Sequence, residues 1–292
     1  MKTILLLPKL VIHNANALSS PYTIGFPAMT AWLGAVHALQ RKINQTECSD
    51  VNFVSAGVIC HKIHLHTYQG KGDFIHSIIG TGNPLDKNGN RSPIIEEPRC
   101  DITASLIIEC QHLSTDNPRW LSHLANTMNS GLKIAGGDLL AFGKPEILTI
   151  THEKSLRSLT RRLMPGYTLI ERRELMEDAM REGQDAMDAL LDYLKICFRS
   201  QQPANDKVTW TAKRKTAGWI VPIATGFYGI TPLGSAQNQR DPNIPHRFAE
   251  SLVTLGEFIM PYRVKHLDEI LWHHHYDPQN NYYLIQQNTR NH

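Results

Sequence analysis

An α+β fold is predicted by three observations. Short Leu-, Ile- and Val-rich runs alternate with stretches of helical periodicity in the order strand, helix, strand, strand, helix, strand. A turn-rich insertion separates the two middle strands. The chain of 292 residues is 41% hydrophobic and 20% charged, a globular composition with length for one elaborated domain or two smaller ones.

The first strand is read over residues 3–13, inside LLLPKLVIHNANALSSPYTIGFP (residues 5–27). The same stretch invites comparison with a secretory signal, but the apolar run from Ile4 to Leu7 is cut by Pro8 and Lys9, shorter than the roughly 7–15 residues a signal core needs. Nor does the chain hold the roughly 18 consecutive apolar residues of a spanning helix, so a soluble, cytoplasmic protein is expected, with no membrane partner. Pro27 suits a first helical position, and Met29, Trp32, Leu33, Val36, Leu39, Gln40 and Ile43 follow with helical spacing. Residues 52–67 and 100–111 read as the second and third strands. Between them, residues 67–98 carry so many Gly, Pro and Asn turn signals that a projecting hairpin or finger is expected. Asn117 and Pro118 form an N-cap and first-turn pair for a second helix bearing Trp120, Leu121, Leu124 and Met128, ended by Gly131. A fourth strand follows at residues 146–151. This order is the ferredoxin-like pattern, two helices on one face of an antiparallel sheet.

Beyond it, Met176, Met180, Gly183, Met187, Leu190, Leu194 and Cys197 recur in alternating steps of 4 and 3, predicting one long amphipathic helix packed on its own domain. Residues 200–206 read as a polar linker. Short strands are expected within 210–233, and helical stretches near 245–260 and 264–274. The domain reading is therefore 1–153, a ferredoxin-like unit with its insertion at about 67–98, and 154–292, a helical and mixed α/β extension.

The net charge of +3 does not by itself announce nucleic acid, but its distribution is uneven. Residues 154–173 hold Lys154, Arg157, Arg161, Arg162, Arg172 and Arg173 against Glu171 alone, and residues 174–188 hold six acids against Arg181. This suits a phosphate backbone on one side and a basic protein surface on the other, or two solvated faces. The five cysteines form no CxxC pair and are odd in number, which fits reduced thiols and argues against a four-cysteine zinc site. His61, His64 and His66, or His273, His274 and His275, do not easily converge three imidazoles, so no metal or other cofactor is expected. Ala135-Gly136-Gly137-Asp138 lets backbone amides approach a phosphate, or is a simple turn, being neither a Walker loop nor a dinucleotide fingerprint. The third strand, CDITASLIIECQ, has no aromatic, so RNA binding on such a sheet would use loops and basic helices rather than base stacking. No GxSxG or HExxH is present to support a hydrolase.

The stretches LLLPKLVIHNANALSSPYTIGFP, VHALQRK, GVICHK, NPLDKNG, IIEEPR, AGGDLL, LTRRLMPGY, GWIVPIATGFYGITPL, RFAESLVTLGEF and LWHHH run in order from Leu5 to His275. Together they resemble the RAMP-type subunit family of the type I-F CRISPR surveillance (Csy) complex that holds the 5′ handle of the guide RNA. The resemblance implies a ferredoxin-like domain with a thumb-like insertion and no catalytic activity. It also implies four partners: the crRNA 5′ handle, the large subunit, the repeated backbone subunit, and target double-stranded DNA through the complex.

On this resemblance the RNA-binding candidates are Asn14, Asn16, Ser19 and Ser20 in the first loop, and His37, Gln40 and Arg41 on the first helix. Gly136 and Gly137 join them, with Arg157, Arg161 and Arg162 near LTRRLMPGY. Lys213 and Arg214 are added from a stretch that matches the family less well, as do residues 44–51, most of the thumb and the tail after Pro278. An endoribonuclease that processes guide precursors is the competing reading, with His13, His37 or Tyr22 as the general base near the 2′-hydroxyl. A protein-interaction module without a basic groove is the third.

Overall fold

A computed structural model describes residues 1–45, 51–81, 85–90, 97–113, 118–202, 207–239 and 241–288. Strand β1 (Lys2–Asn16) is 15 residues long, and it is bent at two register shifts where Lys9 and Asn14 adopt φ of 52° and 58°. These bulges are how Pro8 and an exposed Lys9 fit inside a central strand. A small hairpin, β2 (Leu18–Ser20) and β3 (Thr23–Ile24), leads to helix α1 (Met29–Ile43), which starts two residues after Pro27 rather than at it.

Strand β4 (Asn52–Leu65) is followed, in the segment expected to project, by β5 (Thr67–Tyr68), β6 (Ser77–Ile78) and β7 (Gly80–Thr81). Among the described residues β5 and β6 pair only with each other, and β7 pairs with β8 (Glu97–Gln111). Residues 82–84 and 91–96 of that segment, and Asn117, lie outside the described residues. Helix α2 (Pro118–Asn129) begins at its proline. A hairpin of β9 (Lys133–Ile134) and β10 (Gly137–Ala141), absent from the sequence reading, precedes β11 (Glu146–Ile150).

Helix α3 (Glu153–Arg162) and strand β12 (Tyr167–Glu171) open the second half. The single long helix expected over 176–197 is instead two, α4 (Arg173–Arg181) and α5 (Ala186–Leu194). Gly183, at φ 98°, sends its N–H to Met180 O while Gln184 N–H reaches Ala179 O, a Schellman ending. Asp185 then caps α5 by accepting from Asp188 N–H at 2.8 Å. The expected linker at 200–206 begins inside a hairpin of β13 (Cys197–Gln201) and β14 (Thr209–Lys213). Strand β15 (Ile220–Gly229) is as expected, but β16 (Ala249–Ile259) replaces a predicted helix. β16 is paired on both edges, and its middle residues are covered on both faces, so its side chains lack the alternation that marks a strand. The helix expected over 264–274 is a 3₁₀ turn, Leu267–Ile270, running into β17 (Trp272–Asp277), with β18 (Tyr282–Gln287) last.

Among the described residues twelve strands form one antiparallel sheet, flanked by five helices, a mixed α/β architecture. Its first half runs in the order β11, β1, β8, β4. Leu5 and Leu7 of β1 face one core with Trp32 and Leu39 of α1 and Trp120 and Leu124 of α2. Ile4 and Leu6 face a second core with Leu156 and Leu159 of α3 and Leu267 and Ile270 of the turn. Burial on both faces is the reason the Ile4–Leu7 stretch of β1 is apolar without alternation. The other edge of β4 carries β17 at Ala56 and β12 at Ile59 and Cys60. From there β12, β16, β15, β18 and β17 pair in turn, closing a ring of strands on β4.

Candidate nucleic-acid groove

The bulge at Asn14 turns the end of β1 outward, and its strand neighbours are fixed by backbone bonds from Asn16 N–H to Ala135 O (2.8 Å) and from Ala17 N–H to Pro98 O (2.9 Å). These bonds bring three separate segments to the mouth of α1. The result is a groove of about 530 Å³, walled by Asn16, Leu18 and Ser19, by Pro27, Ala28, Thr30 and Ala31 at the start of α1, and by Glu97, Arg99, Ala135 and Gly136.

Two features give this groove a positive character. Helix α1 has Ala28 at its N-cap, no side-chain cap and no acid in its first turn, so its leading amides and dipole end are uncompensated. Arg99, mostly buried, pairs through Nη2 with Glu97 at 2.7 Å, while its buried Nε has no hydrogen-bond partner among the described residues. The uncapped helix start is the kind of group that receives a phosphate oxygen, with the Arg99 guanidinium beside it.

The rim is set by glycine geometry. Ala135 and Gly136 take φ of 50° and 74° and form the two-residue turn between β9 and β10. A Cβ on Gly137 would stand 2.7 Å from His13 O and 2.8 Å from Ala15 Cα, so only glycine lets this hairpin lie against β1. Beside the groove, Asn14 N–H and His13 Nδ1 meet Asp101 Oδ1 at 2.9 and 2.8 Å, and His66 Nε2 meets Oδ2 at 3.3 Å. Burial alone would raise the Asp101 carboxyl, but the Asn14 N–H and both imidazoles outweigh it and hold it below its ordinary value.

The matching family model is described as CRISPR-associated protein (Cas_Csy2), and it covers residues 5–285. The CRISPR-associated protein Csy2 of Pseudomonas aeruginosa (strain UCBPP-PA14) is 33% identical over 311 aligned residues, spanning 97% of this chain and 94% of that protein. The chain belongs to the Csy2 family of CRISPR-associated proteins. The resemblance to the type I-F Csy subunit family is thereby borne out.

In this Csy2-family chain the predicted site residues divide into separate places. Asn16, Ser19 and Gly136 line the groove, whereas Asn14 and Gly137 do not. The Asn16 amide is engaged locally with both backbone groups of Leu18, and the Ser19 and Ser20 hydroxyls bond Thr23, Ser20 being buried. They shape the loop, leaving backbone and edge atoms for a ligand. Gln40 lies about 15 Å along α1 from the groove by helix rise, bridging Val51 O and Phe53 N–H, so it ties α1 to β4. Exposed His37 sits 6.4 Å from the His274 ring, and Arg41 is exposed one turn further on.

Arg157 and Arg162 pair with Glu153 and Glu146, whereas exposed Arg161 makes no ion pair among the described residues. Arg157 lines a second, larger basin of about 1020 Å³ with Lys2, His152, Arg263 and Lys265. Arg172 and Arg173 of the basic run are consumed by Glu174, Glu257 and Glu171. Lys213 and Arg214 stand at the end of the β13–β14 hairpin.

Sequence reasoning missed Arg99 and Thr30. The signal for Arg99 lay in IIEEPR, a cation at the mouth of a buried strand. Thr30 was hidden because helix amides carry no side-chain signature.

Proposed function

We propose that this chain is a non-catalytic, cytoplasmic subunit of the type I-F CRISPR RNA-guided antiviral surveillance complex. In that reading it binds the 5′ handle of the crRNA and bridges the large subunit and the repeated backbone subunits for target DNA recognition. The observation that carries the reading is the uncapped positive end of α1 lining one groove with Arg99, Asn16, Ser19 and Gly136. Such a site holds a phosphate while the loop edges meet sugars and bases, which suits the shape-based reading of a single-stranded RNA end.

A ferredoxin-like unit over residues 1–153 is supported by the strand order β11, β1, β8, β4 with α1 and α2 on one face. Residues 67–98 serve as its thumb, and residues 154–292 form the extension that meets the large subunit. The endoribonuclease reading ranks second, because neither His13 nor His37 lines the groove and His13 is turned to Asp101.

The test is incubation of the purified chain with labelled guide RNA and its precursor, with and without the large subunit. Arg99→Gln is expected to weaken handle binding about tenfold or more, since a charge-assisted contact is worth about 1.5–3 kcal/mol. New cleavage products that disappear in His37→Ala would overturn the non-catalytic reading. RNA affinity that is absent at every salt concentration in every assembly would favour a pure scaffold.

A further inference from the structure

The hairpin of β13 and β14 stands outside the twelve-stranded sheet as a two-stranded sheet of its own, and all ten of its strand residues are exposed. A lone two-stranded hairpin gains little stability in water, so the fold itself does not explain it. Register sorts its side chains: Phe198 faces Ala212 and Ser200 faces Trp210, which puts both aromatics on one face as diagonal neighbours. Phe198 and Trp210 are 64% and 67% exposed. The opposite face carries Arg199 and Lys213, with Lys207 and Arg214 flanking the strands.

None of these four cations makes an ion pair among the described residues. The nearby acid, Asp192 at the hairpin's root, is already held by Lys195 and Lys215. The hairpin therefore carries two unburied rings on one face and, on its other face and flanks, four cations without an ion pair among the described residues.

We propose that this hairpin is a second nucleic-acid contact, a finger that grips an unpaired strand by stacking bases on Phe198 and Trp210 and holding phosphates with Arg199, Lys207, Lys213 and Arg214. Stacking accepts any base, and cations of a single sign suit a polyanion better than a mixed protein surface. The contact is independent of the handle groove. An unpaired stretch of guide RNA and an unpaired DNA strand share this chemistry.

The experiment measures binding of the full chain to short labelled single strands of RNA and DNA lacking any handle, and to the corresponding duplexes, over a range of salt. F198A/W210A is expected to lose about tenfold or more in single-strand affinity, with an unchanged melting temperature because both rings are exposed. R199Q/K213Q/R214Q is expected to flatten the salt dependence by about 2 in log–log slope. Combining Arg99→Gln with F198A/W210A should give losses that add, which separates the finger from the groove, whereas a F198A/W210A effect that vanishes in the Arg99→Gln background would assign the binding to the groove. A response with RNA alone assigns the finger to guide RNA, and a response with both strands extends it to unpaired DNA. Single-strand affinity that is indifferent to F198A/W210A, or duplexes bound as tightly as single strands, would overturn the proposal.

Discussion

Ser105 is 2% exposed and joins three segments through one hydrogen-bonded chain. Lys9 N–H donates to its Oγ at 3.0 Å, its hydroxyl donates to His61 Nε2 at 2.7 Å, and His61 Nδ1–H donates to Pro165 O at 2.6 Å. A neutral imidazole protonated at Nδ1 completes this chain. Burial lowers the His61 pKa, helped by Lys9 and opposed by the Pro165 carbonyl, and burial also lowers His273 and His274. A base with a depressed folded pKa leaves the unfolded chain binding more protons below about pH 6.5, so stability falls as pH drops through that value. The melting temperature should therefore decline between about pH 7 and pH 5. His61→Gln should start lower and decline less. At the groove rim, Gly137→Ala forces a Cβ against β1 and should cost about 1–3 kcal/mol by denaturant titration.

The helix break after α4 shows what sequence periodicity can and cannot settle. The apolar steps through residues 176–197 persist across a Schellman turn and a new N-cap, because both short helices bury the same side against β15 and β16. The stripe was legible, whereas the break depended on Gly183 at positive φ and on Asp185 as a cap, signals present in the sequence but outweighed by the stripe. β16 failed in the opposite sense, since a strand covered on both faces carries no period of two. The elements of the first half were legible because their turn signals and apolar runs agreed. The groove was half legible: its loops announced themselves, and the bare helix terminus lining it with Arg99 required the fold. Asp185→Ala should destabilise the chain by about 1 kcal/mol, and Gly183→Ala by about 1–2 kcal/mol, both read as shifts in chemical denaturation midpoint.

Across the whole molecule, the ring of strands on β4 depends on few contacts. β17 meets β4 at the single pair Trp272 and Ala56, and the fully buried Trp272 donates its indole N–H to Leu169 O at 3.2 Å. Gly57 beside it admits the backbone of Ile270, whose carbonyl oxygen would lie 2.5 Å from a Cβ. Trp272→Ala should cost about 3–5 kcal/mol and lower the melting temperature without altering the exposed β13–β14 finger.

The seam at β4 also fixes an order of events during synthesis. β4 ends at Leu65, yet its second edge waits for residues near 168 and 272. At about 5–20 residues per second, roughly 10–40 s pass between translation of β4 and of Trp272. Through that interval the nascent chain carries a long, apolar strand with one open edge, the kind of surface that recruits chaperones or pairs with a neighbouring chain. Slower translation between β4 and Trp272 is thus expected to lower the soluble yield of this chain, read by expression with slowed codons over that span.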